Sequence, residues 1–219
     1  PQSFVQELTD FVGSIALAQE ESWSYKIPKQ SVPIQTLSIG IDGTCMLMCD
    51  EHYREAMVGT ISLYDVQGIR QHTTYVAASP EYGKATFLNR MEREIERIIE
   101  QFPIAYRQGL ADGALENWDF LTPLTDTQVL DFQHALKYLI DVSKALYPRS
   151  PTSRTAWLDE QCHNLKHNRG AAIEQLRIME TIEMTSLSEA NRKGLEGAIT
   201  YFRNHYHQMN YAEAIEANL

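Results

Sequence analysis

Two rhythms of apolar and polar positions run along the chain, and the places where one gives way to the other mark its elements. Over residues 3–18, Phe4, Leu8, Phe11, Val12 and Ile15 recur at helical spacing and predict an amphipathic helix. Residues 20–33 are polar, carry two prolines and read as a linker. From residue 35 the period drops to two. The run to Asp42, with Leu37, Ile39 and Ile41 on one face, predicts a first strand, and residues 44–49 continue in extended form. Alternation over residues 54–64 predicts a second strand. Asp65-Val-Gln-Gly68 supplies a turn, and residues 72–78, rich in β-branched and aromatic side chains, predict a third.

Ser79-Pro80 breaks the sheet, and a helix follows over residues 83–101 with Phe87, Leu88, Met91, Ile95, Ile98 and Ile99 as its apolar stripe. Glu92, Arg93, Glu94, Glu96 and Arg97 cover its other side and read as a solvated face; Pro103 ends it. Then come a strand to Asp112, a short helix over residues 115–121 and a strand over residues 127–131. Beyond Asp131 strand signals stop. Residues 132–146, 153–167, 171–183, 188–206 and 211–217 all read as helix, Ser188 offering a cap for the fourth. The division predicted is a helix and linker (1–33), an α/β core (34–134) and an all-helical region (135–219). Three antiparallel strands followed by parallel additions is the element order of an RNase H-like fold.

At 219 residues the chain can bury a substantial core. Nothing approaches 18 consecutive apolar residues, so no membrane span is expected. Three cysteines and no visible signal peptide argue against a disulfide framework and for a reducing, cytoplasmic compartment. The net charge of −10 is the wrong sign for a module that holds nucleic acid by charge alone, but suits a core whose acids gather metal ions. The first residue is Pro1 rather than methionine, which reads as a processed or excised piece of a longer protein.

The candidate chemistry is carboxylate chemistry. Leu37-Ser-Ile-Gly-Ile-Asp42-Gly is an apolar run ending in one acid. A buried strand cannot keep that acid inside unpaired, so Asp42 should emerge at the strand's carboxyl end, where open α/β folds place their chemistry. Tyr106-Arg-Gln-Gly-Leu-Ala-Asp112-Gly has the same form, and Thr127-Gln-Val-Leu-Asp131 ends in an acid without the glycine. In the fold expected, the first and fourth strands are neighbours, so Asp42 and Asp112 can meet and hold Mg²⁺ for phosphoryl transfer. Other groups have plain structural readings beside their functional ones. Trp23 and Tyr25 either pack or stack on a base, while Cys45 and Cys49 lack a second pair at zinc spacing. Cys162, His163 and His167 are either helix surface or part of a structural zinc site. His205 and His207 are either outward polar groups or a face for nucleic acid. No Walker loop, nucleophile elbow or Rossmann glycine pattern is present.

Several longer motifs belong together: Gly40-Ile-Asp-Gly-Thr44, Arg54-Glu-Ala-Met-Val-Gly-Thr60, Glu81-Tyr-Gly-Lys-Ala-Thr-Phe87, Ala111-Asp-Gly113, Asn117-Trp118, Val129-Leu-Asp-Phe-Gln-His134 and Tyr201-Phe-Arg-Asn-His205. Over nearly the whole chain this set resembles bacterial insertion-sequence transposases with a DDE catalytic domain, distantly similar to the Mutator-like transposases. The resemblance implies an RNase H-like core with an all-α insertion. Asp42 and Asp112 match the first two metal-binding acids, with Mg²⁺ as cofactor and Mn²⁺ as its substitute. His134 would be an auxiliary residue near the DNA or the active site, and Asp131 either a further auxiliary residue or a helix cap. The implied activity is DNA strand cleavage and transfer on transposon ends and target in the bacterial nucleoid, with room for a homodimer. The family's third acid, a glutamate, is expected downstream of Tyr211-Ala-Glu-Ala214, and neither Glu213 nor Glu216 takes that role. The chain alone is then expected to be weakly active or inactive. The alternatives are an RNase H-like nuclease completed by Glu55 or Asp131, and a decayed or repurposed fragment acting as an interaction module.

Overall fold

The computed structural model describes residues 2–22, 26–48, 52–80 and 83–219. They form two compact units, Pro1–Ser31 and Val32–Leu219. The first is a single helix, α1 (Gln2–Ser22). It runs four residues past the predicted end, because Gln19, Glu20 and Glu21 are good helix formers and no breaker intervenes. Trp23, Tyr25, Cys49 and the Glu81-Tyr82 start of one motif lie outside the described residues.

The second unit is built on a mixed five-stranded sheet. Its strands are β1 (Thr36–Leu47), β2 (Tyr53–Tyr64), β3 (Arg70–Ala78), β4 (Tyr106–Ala111) and β5 (Thr127–Leu130), in the order β3-β2-β1-β4-β5. The first three are an antiparallel meander, and β4 and β5 add in parallel. The two-residue rhythm of β1 is realised: Leu37, Ile39 and Ile41 are buried on one face. Helix α2 (Gly83–Gln101) packs Phe87, Met91, Ile95 and Ile98 inward across β2 and β3. It comes so close to the sheet at Gly59 that a Cβ there would sit 2.6 Å from the Met91 sulfur. Glu94 and Arg97 pair on its polar face at 2.9 Å. Helix α3 (Leu115–Leu121) and a 3₁₀ turn (Thr122–Leu124) join β4 to β5.

After β5 the chain is helical: α4 (Phe132–Leu146), α5 (Pro151–His167), α6 (Ala171–Glu180), α7 (Glu189–His205), a 3₁₀ turn (Tyr206–Gln208) and α8 (Tyr211–Glu216). α4 packs on α5 and α7, α7 on α6, and α5 on α8. The core of this part holds Leu139 and Val142 of α4 with Leu195, Ala198 and Phe202 of α7, all buried. Ser150 and Ser188 cap α5 and α7 with their hydroxyls.

β1 runs on past Asp42 to Leu47, hydrogen-bonded to β2 over its whole length, in line with the extended continuation expected after residue 44; what differs is that Asp42 sits inside the strand rather than at its carboxyl end. What ends near Asp42 is the pairing with β4, whose last pair is Gly40 with Leu110.

Candidate metal centre

The β1–β4 register sets the geometry. Asp42 and Asp112 each lie two residues beyond the final pair Gly40–Leu110. In parallel strands about 4.8 Å apart, equal offsets bring the two residues abreast. Side chains two apart share a face, so Asp42 projects on the side of Gly40 and away from buried Ile41. Asp42 is thereby exposed although it sits within a strand. Its Oδ1 accepts the Gly43 amide hydrogen at 2.8 Å.

Asp112 is held more firmly. Its Oδ1 accepts from the Ala114 amide at 3.0 Å and from Nδ2 of buried Asn117 at 3.0 Å. Between these groups Gly113 adopts φ +97°, which lets the chain leave β4 and enter α3. The Asp112 carbonyl accepts a 2.7 Å hydrogen bond from the Tyr201 hydroxyl on α7, 89 residues away. Tyr201 stacks on Tyr138 of α4, ring centres 4.0 Å apart, and lies 4.6 Å from the His205 ring. Burial, reinforced by Tyr138 and by the Asp112 and Asp131 carboxylates, pushes the Tyr201 phenol well above its ordinary value, so it remains a donor. His205 Nδ1 is 3.0 Å from Gln208 Oε1, and Gln208 Nε2 donates to Gln128 Oε1 at 2.9 Å. The helical region thus supports the Asp112 loop through a continuous set of contacts.

A third group joins the two acids. His134, on the first turn of α4, places a ring nitrogen so that it and one carboxylate oxygen from each of Asp42 and Asp112 all lie within 4.8 Å of one another. Oδ2 of each aspartate, and the His134 ring, make no hydrogen bond among the described residues. Two carboxylates, each with one unengaged oxygen, beside one imidazole fit a divalent cation.

The remaining candidates fall elsewhere. Asp131 is the N-cap of α4: its Oδ1 accepts from the Gln133 amide at 2.9 Å, and it is not part of the three-residue group. Glu55 lies over Gly43 and 3.9 Å from Lys84, which also pairs with Glu116 at 2.9 Å. Glu213 lines a separate cavity of about 640 Å³ with His207, and Glu216 pairs with Arg169. Cys45 is exposed. The His163 and His167 rings are 4.7 Å apart, yet they form no metal-binding group with Cys162 among the described residues. Burial raises the Cys162 thiol above its ordinary value, which disfavours the thiolate a metal needs. His205 turns inward toward Gly113 rather than outward.

Reasoning from the sequence missed the parts that orient Asp112. Asn117 and Tyr201 stood inside quoted motifs with no role attached. The available signal was weak: an amide five residues after an acid, and a tyrosine four before a histidine on one helix face.

No protein-family model matches the chain, and no similar curated protein is found. Among the described residues, no helix is long and apolar enough to cross a membrane.

Proposed function

We propose that this chain is the catalytic core of a DDE-type transposase, built on an RNase H-like sheet and acting on DNA phosphodiesters at transposon ends and target in the bacterial nucleoid. The observation that carries the reading is the juxtaposition of Asp42 and Asp112 by equal offsets from the last β1–β4 pair. The strand order β3-β2-β1-β4-β5, with a helical region after β5, supports it.

In this reading Asp42 and Asp112 hold Mg²⁺, or Mn²⁺ in its place. A divalent ion there supplies Lewis acidity toward a phosphate oxygen and lowers the pKa of a bound water or hydroxyl. The chain's own task is to present two carboxylates at fixed separation. Asn117 and the Ala114 amide hold one oxygen of Asp112 and leave the other for the ion. Tyr201 fixes the backbone beneath it.

The test is a Mn²⁺ titration by calorimetry on the parent beside Asp42→Asn and Asp112→Asn. Binding in the parent that each substitution weakens at least tenfold is the expected result. A folded parent that binds no Mn²⁺ at millimolar concentration would sink the reading. DNA cutting by a metal-loaded protein without regard to end sequence would favour a general nuclease instead.

A further inference from the structure

We infer that His134 is a direct ligand of the ion, and that its imidazole makes the site prefer Mn²⁺ and later transition metals to Mg²⁺. This rests on the reading of Asp42 and Asp112 as metal ligands and adds the identity of the third donor and of the metal.

The first argument is spatial. An ion bound at about 2.0–2.3 Å keeps any two of its ligand atoms within roughly 4.0–4.6 Å of each other, twice the bond length. The three candidate atoms already lie within 4.8 Å of one another, so closing on an ion asks each to move inward by roughly an ångström or less. These donors come from three separate elements, β1, the β4–α3 turn and α4, and they converge.

The second argument is availability. Asp131, three residues before His134, spends its carboxylate on the helix cap, and its carbonyl accepts the His134 amide at 3.0 Å. That cap fixes the first turn of α4, and with it the place where the His134 side chain leaves the backbone. The ring itself is half-buried and has no hydrogen-bond partner among the described residues. A half-buried imidazole beside two carboxylates, each with one unengaged oxygen, is a donor with little else to do.

The third argument concerns which ion such donors select. Mg²⁺ favours oxygen ligands and keeps its waters, so an imidazole adds little to its binding. Affinity for nitrogen donors rises from Mn²⁺ through the later first-row metals.

The experiment is Mn²⁺ binding followed by calorimetry and by pulsed electron paramagnetic resonance, which detects ¹⁴N directly bonded to Mn²⁺. Parent, His134→Ala, His134→Gln and Asp42→Asn are compared, with Mg²⁺ affinity taken from competition. In the parent, nitrogen coupling is expected. In both His134 variants it should vanish, with Mn²⁺ affinity down about tenfold or more and Mg²⁺ affinity changed less than threefold. The glutamine variant guards against a fold defect in the alanine one. Bound Mn²⁺ without nitrogen coupling in the parent overturns the inference while leaving the two-aspartate site standing. Equal losses for Mn²⁺ and Mg²⁺ in the variants overturn the selectivity. No Mn²⁺ binding by the folded parent overturns the aspartate reading as well.

Discussion

Replacing Gly113 with alanine tests whether the helical region braces the Asp112 loop. Two costs add at this position. Gly113 has φ +97°, where an L side chain is strained by about 1–3 kcal/mol. A Cβ there would lie 3.1 Å from Leu130 Cδ1, 3.1 Å from the Tyr201 hydroxyl and 3.2 Å from His205 Cε1. Crowding against packed neighbours costs typically about 1–3 kcal/mol, and the smaller entropy of the unfolded alanine chain returns about 0.4–1. The net loss is then about 1–5 kcal/mol. For a unit of this size that is a fall in Tm of about 2–20 °C. Gly170 is the internal control: its φ is +73°, but a Cβ there meets nothing within 4 Å. Gly170→Ala should therefore cost only the backbone strain and a few tenths for a poorer cap, less the same entropy return, about 0.5–2 kcal/mol. Urea and thermal melts of the two variants, followed by circular dichroism, separate crowding from strain. Mn²⁺ affinity should fall in Gly113→Ala and not in Gly170→Ala, because only the first displaces Tyr201. The reasoning is refuted if Gly113→Ala is no more costly than Gly170→Ala.

Three further outcomes follow from the same structure. Tyr201→Phe keeps the stacking on Tyr138 but strips the Asp112 carbonyl of its donor; the expected loss is about 1–3 kcal/mol in denaturant melts, with weaker Mn²⁺ binding in calorimetry. Asp131→Ala removes the α4 cap and should cost about 0.5–2 kcal/mol and weaken, without abolishing, the nitrogen-coupled Mn²⁺ signal, because the cap positions His134; loss of bound metal at unchanged stability would instead make Asp131 a ligand. Asp126 has its carboxyl held below the ordinary value, first by the Arg107 amide hydrogen and also by the Arg107 guanidinium. Because its pKa is lower folded than unfolded, its stabilisation is present above the unfolded value and fades as pH falls through the folded one. Melts of parent and Asp126→Asn should therefore differ at neutral pH and converge in acid.

Much of the fold was legible because burial imposes periodicity. The helices Gly83–Gln101, Leu115–Leu121 and Phe132–Leu146 occupy the spans their apolar stripes predicted, and Leu37, Ile39 and Ile41 announce a half-buried strand. Where burial stops, so does the signal. β1 beyond Asp42 is largely exposed on both faces, so burial could not show where it ends, although its extended form was legible; its pairing with β2 keeps it a strand. The first turn of α5 was placed two residues late, although Ser150-Pro151 is a cap followed by proline at the first helical position. In the site, the acids were visible as strand-ending carboxylates, and the strand order expected let Asp42 and Asp112 meet. Whether they stand abreast depends on a register between segments some 70 residues apart, which sequence periodicity does not encode. Asn117 and Tyr201 were invisible for the same reason, since a single long-range hydrogen bond leaves no pattern.

The reach of that hydrogen bond has a consequence for the order in which the protein comes into being. During synthesis the meander carrying Asp42 emerges first, and it can pair locally before β4 exists. Asp112 must then insert beside β1 across α2, and its loop is not secured until α7, nearly 90 residues later, has docked. Contacts between distant segments form slowly, because a long loop must close before they return any energy. The sheet can therefore be native-like while its acidic edge is still unset. A nascent or partly folded chain has the carboxylates but not their fixed juxtaposition, which waits until the last helices are home.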